Sequence, residues 1–147
     1  MTGLILNLKP NEKFLVNGIV LANGPKRGQI KIEGDEAKVL RLSDAMHPDD
    51  VDTPVKRVYY AAQLVLSCDL DEAKTQPELV RELRRLEFAL MEADSGQMTK
   101  AVAAAEKGHY YSVLCHLKRI LPLEAELLAH SVQQPAPQMQ EKVSKVA

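Results

Sequence analysis

Aromatic residues are scarce in this chain. There is no tryptophan, and aromatic side chains make up 4% of 147 residues. That excludes the stacking platform of a general single-strand nucleic-acid binder. An excess of either charge is also missing: 19 basic residues stand against 20 acidic ones, for a formal net charge of -1. A nucleic-acid partner must therefore be met by a local patch rather than by the whole surface. Only two cysteines occur, Cys68 and Cys115, with no Cys-x-x-Cys spacing. They read as reduced thiols of a cytosolic protein. No apolar run approaches the roughly 18 residues of a membrane span, and the N-terminus lacks a signal-peptide core. The expectation is a cytoplasmic protein with no membrane association.

Catalytic signatures are lacking as well. There is no nucleophile elbow, phosphate loop or zinc-ligand spacing. His47, His109, His116 and His130 share no metal-binding spacing on one helix face. Gly24-Pro25-Lys26-Arg27-Gly28 lacks the strand–loop–helix setting of a phosphate cradle and reads as a turn. No catalytic residue, metal or cofactor is expected.

What is present is an ordered succession of short elements. Leu4, Leu6 and Leu8 alternate with Ile5 and Asn7, a strand period. Phe14-Leu15-Val16 and Ile19-Val20-Leu21 flank Asn17-Gly18, a strong hairpin signal, because a type I′ turn needs two positive φ angles. Gln29–Ile32 and Lys38–Arg41 read as further strands, separated by a turn at 33–36. Thr53 is a good N-cap and Pro54 fits the first helical position, so a helix runs to about Leu66. Val55, Val58, Tyr59, Ala62, Val65 and Leu66 share one arc of it, and Lys56, Arg57, Tyr60 and Leu64 the other. Pro77 predicts the start of a second helix, running to about Met91, with a stripe at Leu79, Leu83, Leu86 and Leu90. A third helix spans Gln97–Lys107, with Gly108 at its C′ position. A fourth spans His109–Leu121, and Pro122 is expected to end or kink it before a last turn or helix to His130. The Gln/Pro/Lys-rich tail from Ser131 is expected to be disordered. The fold class is α+β: an antiparallel β unit of short hairpins (1–46) beside a bundle of about four helices (47–130), then the tail (131–147).

Two surfaces stand out as candidates. Residues 1–46 hold seven basic against five acidic residues. Lys26 and Arg27 sit at a hairpin tip, Lys31 faces away from Ile30 and Ile32, and Lys56, Arg57 and Tyr60 lie on the outward side of the first helix. Cations hold phosphates and an exposed aromatic can stack on an unpaired base. A charged face is more commonly just solvated. The second surface is apolar: Leu64 on the first helix, and Val80, Phe88 and Met91 beside Arg84 on the second, all off the core-facing arcs. A helix with two apolar faces is buried on both sides or meets a partner.

Three segments together resemble the flagellum biosynthesis repressor FlbT family. They are Leu6–Lys13 followed by Val16-Asn17-Gly18; the block Thr53-Pro54-Val55-Lys56-Arg57-Val58-Tyr59-Tyr60-Ala61-Ala62-Gln63-Leu64; and Gly108-His109-Tyr110-Tyr111-Ser112-Val113-Leu114. The resemblance covers roughly residues 4–128. It implies a non-enzymatic, cytoplasmic, post-transcriptional regulator of flagellum biogenesis. Such a protein associates with the 5′ untranslated leader of flagellin mRNA and represses its translation or promotes its degradation. It also implies a FlaF-like flagellar protein, or flagellin itself, as a possible protein partner. In the alternative, the chain is an adaptor for that partner and its effect on mRNA is indirect. The resemblance carries no RNA-contact residues with it, and the direction of regulation stays open.

Overall fold

Asn17 and Gly18 have φ of 52° and 84°, the positive pair that a type I′ turn requires. They join β2 (Lys13–Val16) to β3 (Ile19–Ala22), with Phe14 opposite Leu21. On the other edge of β2 lies β5 (Val39–Arg41), with Leu15 opposite Leu40. The result is an antiparallel sheet in the order β3-β2-β5. A second antiparallel pair, β1 (Leu4–Leu8) with β4 (Gly28–Ile32), sets Leu6 opposite Ile30. Leu6, Leu8, Phe14 and Val39 form a small buried cluster shared by the two sheets. The computed structural model describes residues 4–34 and 37–133. Part of the turn expected at 33–36 and the tail beyond Gln133 lie outside them.

Two short 3-10 turns, Leu42–Asp44 and Pro48–Asp50, lead to α1 (Pro54–Leu66). The start of α1 is capped twice. Thr53 Oγ1 accepts from Lys56 N at 3.2 Å, and the carboxylate of Glu124 accepts from Val55 N at 2.9 Å. Pro54 has no N–H to satisfy, so the first turn keeps no orphan donor. The six residues expected on the inward arc are all buried, and Gln63 joins them.

The second helix begins earlier than its proline suggests. α2 runs Glu72–Ala89, with Asp71 as N-cap, its side chain accepting from Lys74 N at 3.0 Å. Pro77 therefore lies inside the helix. The carbonyl it leaves without a partner belongs to Ala73, which is exposed, so water can satisfy it. Gln76, just before the proline, turns instead to α3 (Gln97–Glu106) and donates to the Ala105 carbonyl at 2.7 Å. The carboxylate of Asp94 caps α3 by accepting from Gln97 N and Met98 N. Gly108, with φ of 78°, follows as expected at C′.

Pro122 does not end the last helix. α4 is continuous from Tyr110 to Gln133 and takes in Ser131–Gln133 from the expected tail. The carbonyl freed by Pro122 is that of Lys118, again an exposed residue. Packing on both sides of the proline outweighs the lost bond: Leu117 and Ile120 before it are buried, as is Glu124 after it.

α4 packs on α1 and α3, and α2 packs on α1 and α3. Their shared core includes Tyr59, Val65, Leu83, Met98, Val113 and Leu117. β5 is the strand that rests on α1, through buried Leu40. Tyr111 packs against both this core and the small cluster of the β unit.

Candidate functional site

The block from Thr53 to Leu64 is largely a fastening. Tyr59 Oη donates to the Asp44 carbonyl at 2.6 Å. Burial, with Asp44 nearby, pushes the Tyr59 hydroxyl well above the ordinary tyrosine range, so it stays protonated and remains a donor. Gln63 accepts from Met46 N at 2.6 Å and donates to Met46 O at 3.1 Å. These bonds tie the connection after β5 to α1. Glu124 lies in the stretch after Pro122 that the sequence marks only as a last turn or helix. It is 7% exposed and caps α1 from α4. Its position 69 residues from Val55 leaves no local sequence signal for that role.

The basic candidates fall on separate elements. Lys26 and Arg27 are exposed in the β3–β4 connection. Lys31, on β4, lies opposite Ile5 on the outward face of the two-stranded sheet. Among the described residues, none of these three cations has a carboxylate within ion-pair distance. On α1, Lys56 is half-buried and pairs with Asp52 at 3.2 Å, Arg57 is exposed, and Tyr60 is half-buried. Arg57 borders the cleft between α1 and α2, facing a wall that includes Glu78, Glu82 and Arg85.

The structure adds a cation that sequence reasoning did not single out. The β1–β2 turn is stitched to the β3–β4 connection. Asn23 Nδ2 donates to the carbonyls of Lys9 (2.7 Å) and Lys26 (2.9 Å). Asn11 N donates to Gly24 O, and Asn23 N to Glu12 O, both at 2.8 Å. Lys9, Lys26 and Arg27 thus share one end of the β unit. The acid at that end, Glu12, is neutralised from below. The Arg41 guanidinium binds both its oxygens, at 2.7 and 2.8 Å, and also donates to the Asn7 carbonyl. Those hydrogen bonds hold the Glu12 carboxyl down at about 2 despite the opposing effect of burial.

The apolar candidates also separate. Leu64 is half-buried, and Val80 is half-buried against the core. Phe88 and Met91 are 76% and 63% exposed. Arg84 pairs with Glu106 across to α3. A further apolar surface had gone unremarked: all four residues of β3, Ile19–Ala22, are exposed. β3 is an edge strand, so its side chains and one row of its backbone groups lack cover.

Among the described residues there is no cluster of three metal-ligating side chains, and no helix is long and apolar enough to cross a membrane. The arrangement offers cation and apolar contact surfaces.

The sequence profile described as "Flagellar protein FlbT" matches residues 4–128. The flagellum biosynthesis repressor protein FlbT of Caulobacter vibrioides is 32% identical over 131 residues, covering 86% of this chain and 90% of that protein. A probable flagellum biosynthesis repressor from Bradyrhizobium diazoefficiens is 37% identical over 62 residues, 42% of each chain. No solved structure matches. With the match spanning both the β unit and the helices, the chain belongs to the FlbT family of flagellar proteins.

Proposed function

We propose that the protein regulates flagellum biogenesis by binding the 5′ untranslated leader of flagellin mRNA, repressing its translation or promoting its degradation. The relatives named as flagellum biosynthesis repressors support the regulatory part of this reading. The observation that carries the RNA part is the cation cluster at one end of the β unit. Lys9, Lys26 and Arg27 are exposed there on turns held together by the Asn23 amide. The neighbouring carboxylate, Glu12, is taken up by Arg41 and offers phosphates little repulsion. Lys31 extends the surface along β4, and Arg57 with Tyr60 forms a second patch on α1. Lys56 contributes less, because Asp52 already holds it.

Cations at these positions grip phosphates without reading sequence, and base contacts must supply the selectivity. A bound leader would be shielded from ribosomes. The protein needs no chemistry of its own for either outcome, since cellular nucleases degrade a message that is not being translated.

The test is a gel shift with flagellin leader RNA over a salt series. Replacing Lys9, Lys26 and Arg27 together with Ala should weaken binding and shrink the salt slope by about 2. Replacing Lys56 and Arg57 should have a smaller effect. An unchanged affinity and slope in the folded triple variant would sink this reading.

A further inference from the structure

The outward face of α2 combines apolar side chains and guanidiniums. Pro77, Val80 and Phe88 line a shallow groove with Arg81, Arg84 and Arg85, and no carboxylate is among its lining residues. Phe88 is 76% exposed, an unusual position for a large aromatic with no contact to make. Positions 77, 80, 84 and 88 recur at three- and four-residue intervals, so they form one stripe along about 16 Å of helix. Met91, 63% exposed, lies just past the helix end. The opposite side of α2, with Leu79 and Leu83, is already buried in the core.

We propose that this stripe is a docking site for an amphipathic helix of a partner protein whose apolar seam is flanked by Asp or Glu. The argument is charge complementarity joined to helical spacing. A second helix laid along α2 would bring an apolar residue against Phe88 and Val80 and carboxylates against the three arginines. The arginines are available for this. Arg81 reaches Glu78 only at 3.9 Å, Arg85 pairs with Glu82 and Arg84 with Glu106, all between exposed side chains. Such pairs contribute little and exchange partners readily. A second copy of this chain fits poorly, because two identical faces would set arginines against arginines. Single-stranded RNA could stack one base on Phe88 but would leave Pro77 and Val80 unmatched. This surface is distinct from the cation cluster of the β unit, and its test is independent of RNA binding there.

The experiment uses the full chain and two labelled synthetic peptides, each a helix of about four turns with a leucine seam. One carries glutamates beside the seam, the other lysines. Fluorescence anisotropy should show binding of the glutamate peptide and at least about tenfold weaker binding of the lysine peptide. Phe88→Ala and Arg84→Glu should each weaken the glutamate peptide about tenfold. Arg84→Glu should also improve the lysine peptide. Both positions are exposed, and circular dichroism on each variant is the control for folding. The proposal is overturned if the glutamate peptide fails to bind, if both peptides bind equally, or if neither variant changes the affinity. It is equally overturned if Phe88→Ala leaves peptide binding intact and instead abolishes binding to an oligouridine strand or to phosphatidylglycerol vesicles, or dissociates a dimer seen by light scattering.

Discussion

Arg41 has the most demanding set of contacts of any charged side chain described. It holds both oxygens of Glu12 and the Asn7 carbonyl, joining β5, the β1–β2 turn and β1. The Glu12 side chain is only 8% exposed, so removing Arg41 leaves a carboxylate that water reaches poorly. Arg41→Ala should cost about 2–3 kcal/mol, read as a fall in thermal midpoint of several degrees at pH 7. The pH dependence has a definite sign. Glu12 is depressed from its ordinary value of 4.5 to about 2. Its contribution is complete above pH 4.5 and is lost as the pH falls towards 2. Thermal scans between pH 7 and pH 2 should show a shallower acid limb in Arg41→Ala than in the unaltered chain. Equal limbs would show that Glu12 is not linked to folding. Arg41 and Glu12 were visible in the sequence only as two charges 29 residues apart.

At the scale of the element, α1 and β3 contrast. α1 was legible throughout: Thr53 and Pro54 mark its start, and the buried arc follows the helical period of its apolar residues. The boundaries of α2 and α4 were less so, because proline was read as a start or a stop. Asp71 supplies a cap six residues before Pro77, and the core contacts around Pro122 outweigh one missing hydrogen bond. The strand β3 was legible as a strand, but its exposure was not, since an apolar tetrapeptide beside a hairpin turn ordinarily faces a core. Edge strands usually carry a charge or a bulge that discourages pairing with another chain, and Ile19–Ala22 has neither charge nor proline. Val20, 59% exposed, is the position to alter. Val20→Lys should lower self-association in light scattering at high concentration and change stability by no more than about 0.5 kcal/mol. Unaltered self-association would show that this edge is not adhesive.

At the scale of the whole molecule, two hydrophobic clusters are joined at Tyr111, which packs against both. Burial raises its hydroxyl above the ordinary tyrosine range, with Arg41 pulling the other way. Leu40 and the straps from Tyr59 and Gln63 complete the joint. Tyr111→Ala should cost about 2–3 kcal/mol and should loosen the β unit before the bundle. Hydrogen exchange would then show amides of β1–β5 losing protection while those in the buried parts of α1 and α4 keep theirs. Uniform loss across both would mean that the molecule opens as one unit. This joint connects the β unit, with its cation cluster, to the helices, with the α2 stripe.

The sequence by itself determined the order of the strands and helices and the inward arc of α1. Those properties are written in neighbours: the Asn17-Gly18 pair, the Thr53-Pro54 start, the period of apolar residues along each helix. Tertiary structure decided what the polar residues do. It made Glu124 a cap for a distant helix and Gln63 a strap on Met46. It paired Lys56 with Asp52 and Arg84 with Glu106, and brought Lys9 beside Lys26 and Arg27. The physical reason is range. Turn stereochemistry and hydrophobic period act over a few residues, whereas a charge is paired, buried or left exposed by whatever the folded chain brings beside it.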